Sequence, residues 1–391
     1  MATPINRRNW LKSSLLITGA LTLPSILQKA TAKSGPASLG SSGILTDAEI
    51  EASLLSEVPV IKARLSANEN PFGPSAKAKK AIVDALDTSY RYAFSTLQQF
   101  SEKIAIAESL DKKQVLLGAG SGSLLHAAAM YFSKNGGSIV SADPTYNSLP
   151  RDAEKSFAAK WIKVPLTADY KHDLDAMEKA IDSTTSLVYL CNPNNPTGTV
   201  VDTEKLKAFC ERVSKRVPIF IDEAYIDYLP DPQATTLIHC VRKGQNIIVA
   251  RTFSKLHGFA GLRVGYMVAL PDMITQLEPY CNRGDISATS VSAALASYDD
   301  KEHLQAALKK TNESKEYLYK ILKQEGYEYI PSSANFVMFP VAMDSVRFTE
   351  EMMKRGVSVR SWKFANKEWC RVSIGTMEEM KAFEDAFKQV S

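Results

Sequence analysis

Ser186-Leu187-Val188-Tyr189-Leu190-Cys191-Asn192-Pro193-Asn194-Asn195-Pro196-Thr197-Gly198 begins as an unbroken apolar run and ends in amides, prolines and a glycine. A short run apolar at every position reads as a strand buried on both faces, the kind found in parallel sheets. The two prolines and Gly198 stiffen the loop that follows. Such a loop stands at the carboxyl end of its strand, where open α/β sheets place their ligands. An ordinary turn explains the prolines and the glycine but not the run of amide side chains.

Outward from this stretch the pattern repeats. Strands are expected at 115–117, 138–140, 219–221, 247–250 and 264–269, with helical periodicity at 123–132, 174–181 and 203–215 between several of them. Strand–helix alternation predicts a mainly parallel α/β sheet covered on both faces. Beyond Thr289 the pattern turns to long helices over about 289–325 and 376–390, around strands near 336–339 and 370–373. That is an α+β region, expected to form a second, smaller domain.

Three further stretches carry chemistry. Gly118-Ala119-Gly120-Ser121-Gly122-Ser123 follows a strand and opens a helix. Free N–H groups at such a turn cradle phosphate, although the dinucleotide spacing G-x-G-x-x-G is not met and a plain tight turn is an equal reading. Phe220-Ile221-Asp222-Glu223-Ala224-Tyr225 ends an apolar strand on a carboxylate. A buried carboxylate needs a partner, either a structural arginine or a cationic ligand atom. Thr252-Phe253-Ser254-Lys255 follows another apolar strand, with Arg263 eight residues on. The hydroxyls and Arg263 suit a phosphate and leave Lys255 free for covalent work.

Charge and composition exclude several classes. The chain of 391 residues has 47 basic and 43 acidic side chains, a net charge of +4. Residues 1–32 hold Arg7, Arg8, Lys12 and Lys29 and no acid, so the rest carries 43 of each sign. A balanced surface has no bulk reason to bind nucleic acid. Asn6-Arg7-Arg8-Asn9-Trp10, an apolar run at 15–27 and Ala30-Thr31-Ala32 follow the order of a secretory signal. The paired arginines resemble a twin-arginine leader, and imply a periplasmic protein. About 13 apolar residues are too few to span a ~30 Å hydrocarbon core, so no stable membrane anchor is expected. Five scattered cysteines without a C-x-x-C pair do not make a disulfide framework, which suits cargo folded before export. The five histidines show no metal-ligand spacing, and no metal is expected.

The loop at 192–198, Asp222-x-x-Tyr225, Ser254-Lys255 and Arg263 together resemble the fold-type I pyridoxal-phosphate aminotransferases (class I/II). Ser66-Ala67-Asn68-Glu69-Asn70-Pro71 and Cys370-Arg371-Val372-Ser373-Ile374-Gly375 are similar to the histidinol-phosphate aminotransferase branch. The resemblance implies a pyridoxal 5'-phosphate enzyme that moves an amino group between an amino acid, or a phosphorylated amino alcohol, and a 2-oxo acid. By the same resemblance Lys255 is the Schiff-base lysine, Asp222 the partner of the ring nitrogen, and Tyr225 and Asn195 the partners of the phenolic oxygen. Backbone groups of Ser121, Gly122 and Ser123, with Thr252, Ser254 and Arg263, take the phosphate, and Tyr146 stacks on the ring. Tyr92 reaches the neighbouring subunit's phosphate, which implies a homodimer. Arg371, Arg360 and Asn68 face the substrate.

The implied division is a signal peptide at 1–32, a linker and arm at 33–60, a segment joining the small domain at 61–90, a large cofactor domain at 91–285 and a small domain at 286–391. A decarboxylase or lyase using the same cofactor is the nearest competing reading. A non-catalytic binding protein is the remote one, since such proteins usually lose the lysine or the aspartate.

Overall fold

The chain is described by a computed structural model over residues 60–390. The expected leader and most of the linker and arm lie outside the described residues. A two-residue strand, β1 (Ala63–Arg64), precedes β2 (Val115–Gly118), β3 (Ser138–Asp143), β4 (Lys160–Pro165), β5 (Thr185–Cys191), β6 (Ile219–Asp222), β7 (Ile247–Thr252) and β8 (Gly265–Val268). Later come β9 (Phe336–Pro340), β10 (Val357–Ser358), β11 (Arg360–Phe364) and β12 (Lys367–Ser373).

Seven strands form one sheet in the order β2-β8-β7-β6-β5-β3-β4. Every neighbouring pair is parallel except those of β8, which runs against both β2 and β7. This is the mainly parallel mixed sheet between helices that the strand–helix alternation predicts. Alternation along the strands shows why both faces are covered. Val188 and Leu190 enter one core with Ile219, Ile221 and Val249, while Leu187, Tyr189 and Cys191 enter the other with Phe220, Ile248 and Ala250. Each valine, leucine, isoleucine or phenylalanine among them, taken fully out of water, contributes about 1.5–3 kcal/mol.

A three-stranded antiparallel sheet, β11-β12-β9, packs its apolar face on the helices Lys301–Gln324, Ser345–Lys354 and Met377–Phe387. The single long helix expected over 289–325 is two, Ala288–Tyr298 and Lys301–Gln324. Consecutive acids interrupt it: Asp299 is paired with Lys103, and Asp300 with Lys77 at 3.0 Å, so both turn away from a continuous helical ladder. Helix Ala288–Tyr298 packs on Ala76–Ala85 and Phe94–Ala107, and its Val291, Ala293 and Ala294 share a core with Phe100 and Ile104.

The sheet topology decides where chemistry can occur. β2, β3, β5, β6 and β7 all end at one edge, and antiparallel β8 begins there. The residues that follow β5 and β7, and those that precede β8, therefore converge without being near in sequence.

Candidate active site

That edge opens into a cavity of about 480 Å³ lined by Asn68, Ser121, Gly122, Tyr146, Asn195, Asp222, Tyr225, Thr252, Ser254, Lys255, Arg263, Arg360 and Arg371. All but two of the sequence-predicted site residues are thus brought together. Ser123 is not on the wall, and its hydroxyl donates to the Gly120 carbonyl at 3.0 Å. Tyr92 lies elsewhere, 78% exposed and stacked on Phe94, beside a separate small cavity that Gly284, Ile286 and Ser287 also line.

Two adjacent carboxylates end β6, and the pleat sends them to different partners. Glu223 takes the structural arginine: Arg251 Nε lies 3.0 Å from it, Thr236 Oγ1 donates at 2.8 Å and the Leu237 N–H at 2.7 Å. Arg251 also reaches Glu108 at 3.0 Å. Asp222, 1% exposed, has no arginine or lysine within ion-pair distance among the described residues. It accepts from the Ala224 N–H at 3.1 Å and, at 3.5 Å, from the Tyr189 hydroxyl. Burial pushes its carboxyl up to about 6, against the opposing pull of that N–H and of Lys255. A buried carboxylate left without a cation, facing a cavity, is arranged for a cationic atom of a ligand.

Lys255 Nζ donates to the Asn68 carbonyl at 2.8 Å. Burial first, and the Arg371 charge second, push its ammonium down to about 8, so far more of it is neutral near pH 7 than of an ordinary lysine. The Tyr225 hydroxyl oxygen receives two amide donors, Asn68 Nδ2 at 2.9 Å and Asn195 Nδ2 at 3.3 Å. Asn195 is oriented by Arg371, whose Nη1 donates to its Oδ1 at 2.6 Å. Asn68 was expected to face substrate. It lines the cavity, but its amide is engaged with Tyr225 and Ser373.

At the other end, Gly120 has φ +76° and precedes helix Ser121–Ser133, whose start no side chain caps. A Cβ on Gly120 would lie 2.4 Å from Arg263 Nη2, and one on Gly265 would lie 2.7 Å from the Ser121 nitrogen. Only glycine admits this close approach. Arg263 is itself at φ +57°, a strained backbone for a non-glycine residue. Its Nη1 donates to Ser254 Oγ at 3.1 Å and the Ala260 carbonyl at 3.0 Å, with no carboxylate within ion-pair distance among the described residues. Thr252 and Ser254 are linked at 3.0 Å. Uncapped N–H groups, two hydroxyls and an unpaired guanidinium form an anion cradle.

The substrate side is set by strand register. β11 and β12 pair so that Arg360 stands directly opposite Arg371. Arg360 forms no ion pair with the nearby Glu368, which is taken by Lys363 at 2.5 Å and by Ser345. Arg371 is 4% exposed, has no carboxylate partner among the described residues, and leaves its buried Nε without an acceptor. Burial, with Arg360 adding to it, lowers its affinity for its proton to about 10. Trp362 joins the cavity wall, whereas Phe364 and Trp369 stack on each other at 4.8 Å and pack against Tyr170. His257, two residues from Lys255, is packed away from the chemistry: it bonds Ser297 at 2.8 Å, and burial pushes it down to about 3.

Sequence reasoning missed Tyr189, the Glu223–Arg251–Glu108 cluster and the role of Ser373. Only the run Asp222-Glu223 hinted at any of them, because alternation along a strand sends neighbours to opposite sides.

Residues 60–387 match the family described as aminotransferase class I and II. A histidinol-phosphate aminotransferase of Moorella thermoacetica is 35% identical over 329 residues, covering 84% of this chain and 85% of that protein. One from Caldicellulosiruptor saccharolyticus is 33% identical over 330 residues, covering 84% and 91%. The crystal structure of histidinol-phosphate aminotransferase from Sinorhizobium meliloti, in complex with pyridoxal-5'-phosphate, superposes with TM-score 0.79 at 27% identity, covering 84% of this chain and 90% of that one. The chain belongs to the class I and II aminotransferases. It is a pyridoxal-phosphate-dependent enzyme, and the cavity of this aminotransferase fits that cofactor on its own evidence. The anion cradle suits the phosphate, the unpaired Asp222 suits a protonated ring nitrogen, and Lys255 lines the same cavity with a depressed ammonium.

Proposed function

We propose that this aminotransferase takes its amino group from a phosphorylated amino alcohol and passes it to a 2-oxo acid. The supporting observation is the pair of arginines in register, Arg360 and Arg371, with Arg371 buried and without a counter-ion. Like charges placed directly across two strands repel, unless an anion sits between them. A phosphate monoester offers enough charge and enough oxygens for both; a single carboxylate needs one fork. The Moorella relative is named for histidinol phosphate, an amine of this class.

Bound pyridoxal phosphate supplies an electron-withdrawing ring that accepts the electron pair left when a substrate C–H bond is broken. Everything else falls to side chains. Lys255 Nζ would hold the cofactor covalently and, once the incoming substrate amine has displaced it, would be free as the amine that takes the proton from the substrate carbon. Its depressed ammonium makes the neutral amine available for this. Asp222 would hold the proton on the ring nitrogen, Tyr225 and Asn195 would hold the phenolic oxygen, and Tyr146 would pack on the ring. Arg371 orients the anionic end, so that the reacting bond is presented to Lys255.

The test is a donor panel on holoenzyme with one 2-oxo acid acceptor. L-histidinol phosphate should exceed histidinol in kcat/KM by roughly 100-fold or more, the scale of a lost charge-assisted fork. Equal rates for the two would defeat the phosphate reading, and carbon dioxide release without transfer would favour a decarboxylase.

The working unit in this reading is a homodimer. Tyr90, Tyr92 and Phe94 are exposed together, and Tyr92 is absent from its own chain's cavity, as a residue serving a partner would be. Sedimentation of the holoenzyme should give twice the chain mass. Export rests on Arg7-Arg8 in the leader. Replacing both with lysine should retain the protein in the cytoplasm, and unchanged fractionation would remove this route.

A further inference from the structure

The phenol of Tyr225 is held by a chain of hydrogen bonds that begins on the other sheet. Ser373, the last residue of β12 and 2% exposed, donates from its hydroxyl to Asn68 Oδ1 at 2.8 Å. Asn68, 6% exposed, then presents Nδ2 to the Tyr225 hydroxyl at 2.9 Å. An amide is a two-ended group: whichever end one neighbour takes fixes the end shown to the next. Arg371 performs the same service for Asn195, since a guanidinium can only donate and so claims Oδ1. Both amides therefore point N–H groups at one phenolic oxygen. With its acceptor sites filled, Tyr225 has only its own O–H proton left to offer, and the cavity is the direction left open.

We propose that Ser373 is a positioning residue for the transamination site, acting on Tyr225 through the Asn68 amide. It touches neither cofactor nor substrate. Without its hydroxyl, a buried Asn68 carbonyl oxygen loses its partner, and the amide is free to turn over. Turned, it accepts the Tyr225 proton and withdraws that proton from the cavity. The backbone carbonyl of Asn68, which holds Lys255 Nζ, is untouched by either orientation. The relay is thus separable from the lysine.

The proposal rests on the cofactor assignment, and the experiment separates the two. The visible absorbance of purified holoenzyme is titrated with pH, without substrate, for the wild type, Ser373→Ala, Ser373→Thr, Asn68→Ala and the Asn68→Ala/Ser373→Ala double variant. A hydrogen bond lost from the deprotonated form raises a midpoint, so Ser373→Ala should move it upward by about half a pH unit, the scale of one net hydrogen bond. Ser373→Thr, which keeps the hydroxyl, should return it toward the wild type. Asn68→Ala should shift it at least as far, and adding Ser373→Ala to that background should shift it no further. An unmoved midpoint in Ser373→Ala overturns the proposal, as does a further shift in the double variant. A wild-type protein with no titrating chromophore overturns the cofactor assignment and the proposal with it.

Discussion

Asp222→Asn should make the cofactor-free protein more stable while weakening the enzyme. The folded carboxyl sits at about 6, above the ~3.9 of an unfolded aspartate. A raised acid binds its proton more tightly when folded, so the ionised form costs stability. That cost is absent below about pH 4, grows as pH rises to 6, and is constant above. Two pKa units at about 1.36 kcal/mol each give an upper bound of about 3 kcal/mol. Asparagine keeps an oxygen for the Ala224 N–H and a donor toward Tyr189, so it relieves the charge without orphaning its neighbours. For a chain of this size, about 3 kcal/mol corresponds to roughly 4 °C in Tm. The assay is thermal unfolding of cofactor-stripped protein at pH 4.5 and pH 8, variant against wild type. The variant should gain up to about 4 °C at pH 8 and little at pH 4.5. In the holoenzyme the gain should vanish, because the bound ring nitrogen already offsets the charge, and turnover should drop. Equal gains at the two pH values, or a loss at pH 8, would refute the claim that Asp222 is an unpaired buried carboxylate.

Borohydride reduction of the holoenzyme, followed by peptide mapping, should find the cofactor on Lys255 and on no other lysine; Lys255→Ala should abolish turnover while the anion cradle still binds cofactor. Arg371→Ala should lower kcat/KM for every anionic donor by roughly two orders of magnitude. Arg360→Ala should spare carboxylate donors and penalise phosphate donors, whereas equal losses for both would make Arg360 structural. Gly120→Ala should weaken cofactor binding in equilibrium dialysis, because a Cβ there meets Arg263 at 2.4 Å and the residue is at φ +76°. Arg251→Met should unfold at clearly lower denaturant concentration, by about 3–5 kcal/mol, since it leaves Glu223 and Glu108 buried and unpaired.

The parts of the fold legible in the sequence are those where burial is symmetric. β5, β6 and β7 lie inside the sheet with cores on both faces, so each carries an unbroken apolar run (187–191, 219–221 and 247–250) that no alternation obscures. β4 escaped notice for the converse reason. It is an edge strand, Lys160-Trp161-Ile162-Lys163-Val164-Pro165, in which only Trp161 and Val164 are buried and Lys160, Lys163 and Pro165 are exposed. β11 is harder still, because Arg-Ser-Trp-Lys-Phe places an arginine and an indole where a core strand would carry valine. Its sequence is shaped by the cavity it faces, so function there has overridden the signal of structure.

The site divides along the same line. Asp222, Lys255, Thr252 and the 192–198 loop each terminate a legible strand, and a parallel sheet delivers such ends to one edge. Reading the strands therefore amounts to reading that half of the site. The contacts that tune it join residues of very different sequence position: Asn68 to Tyr225, Ser373 to Asn68, Arg251 to Glu108. None leaves a local pattern, because an asparagine bonded to a distant tyrosine looks like any loop asparagine. Arg360 and Arg371 are an intermediate case. Both were visible as candidates, but whether they act together depends on register, and a slip of one residue would turn one of them to the opposite face. The substrate pocket of this aminotransferase is thus set by the pairing of two strands, while its cofactor pocket is set by where five strands end.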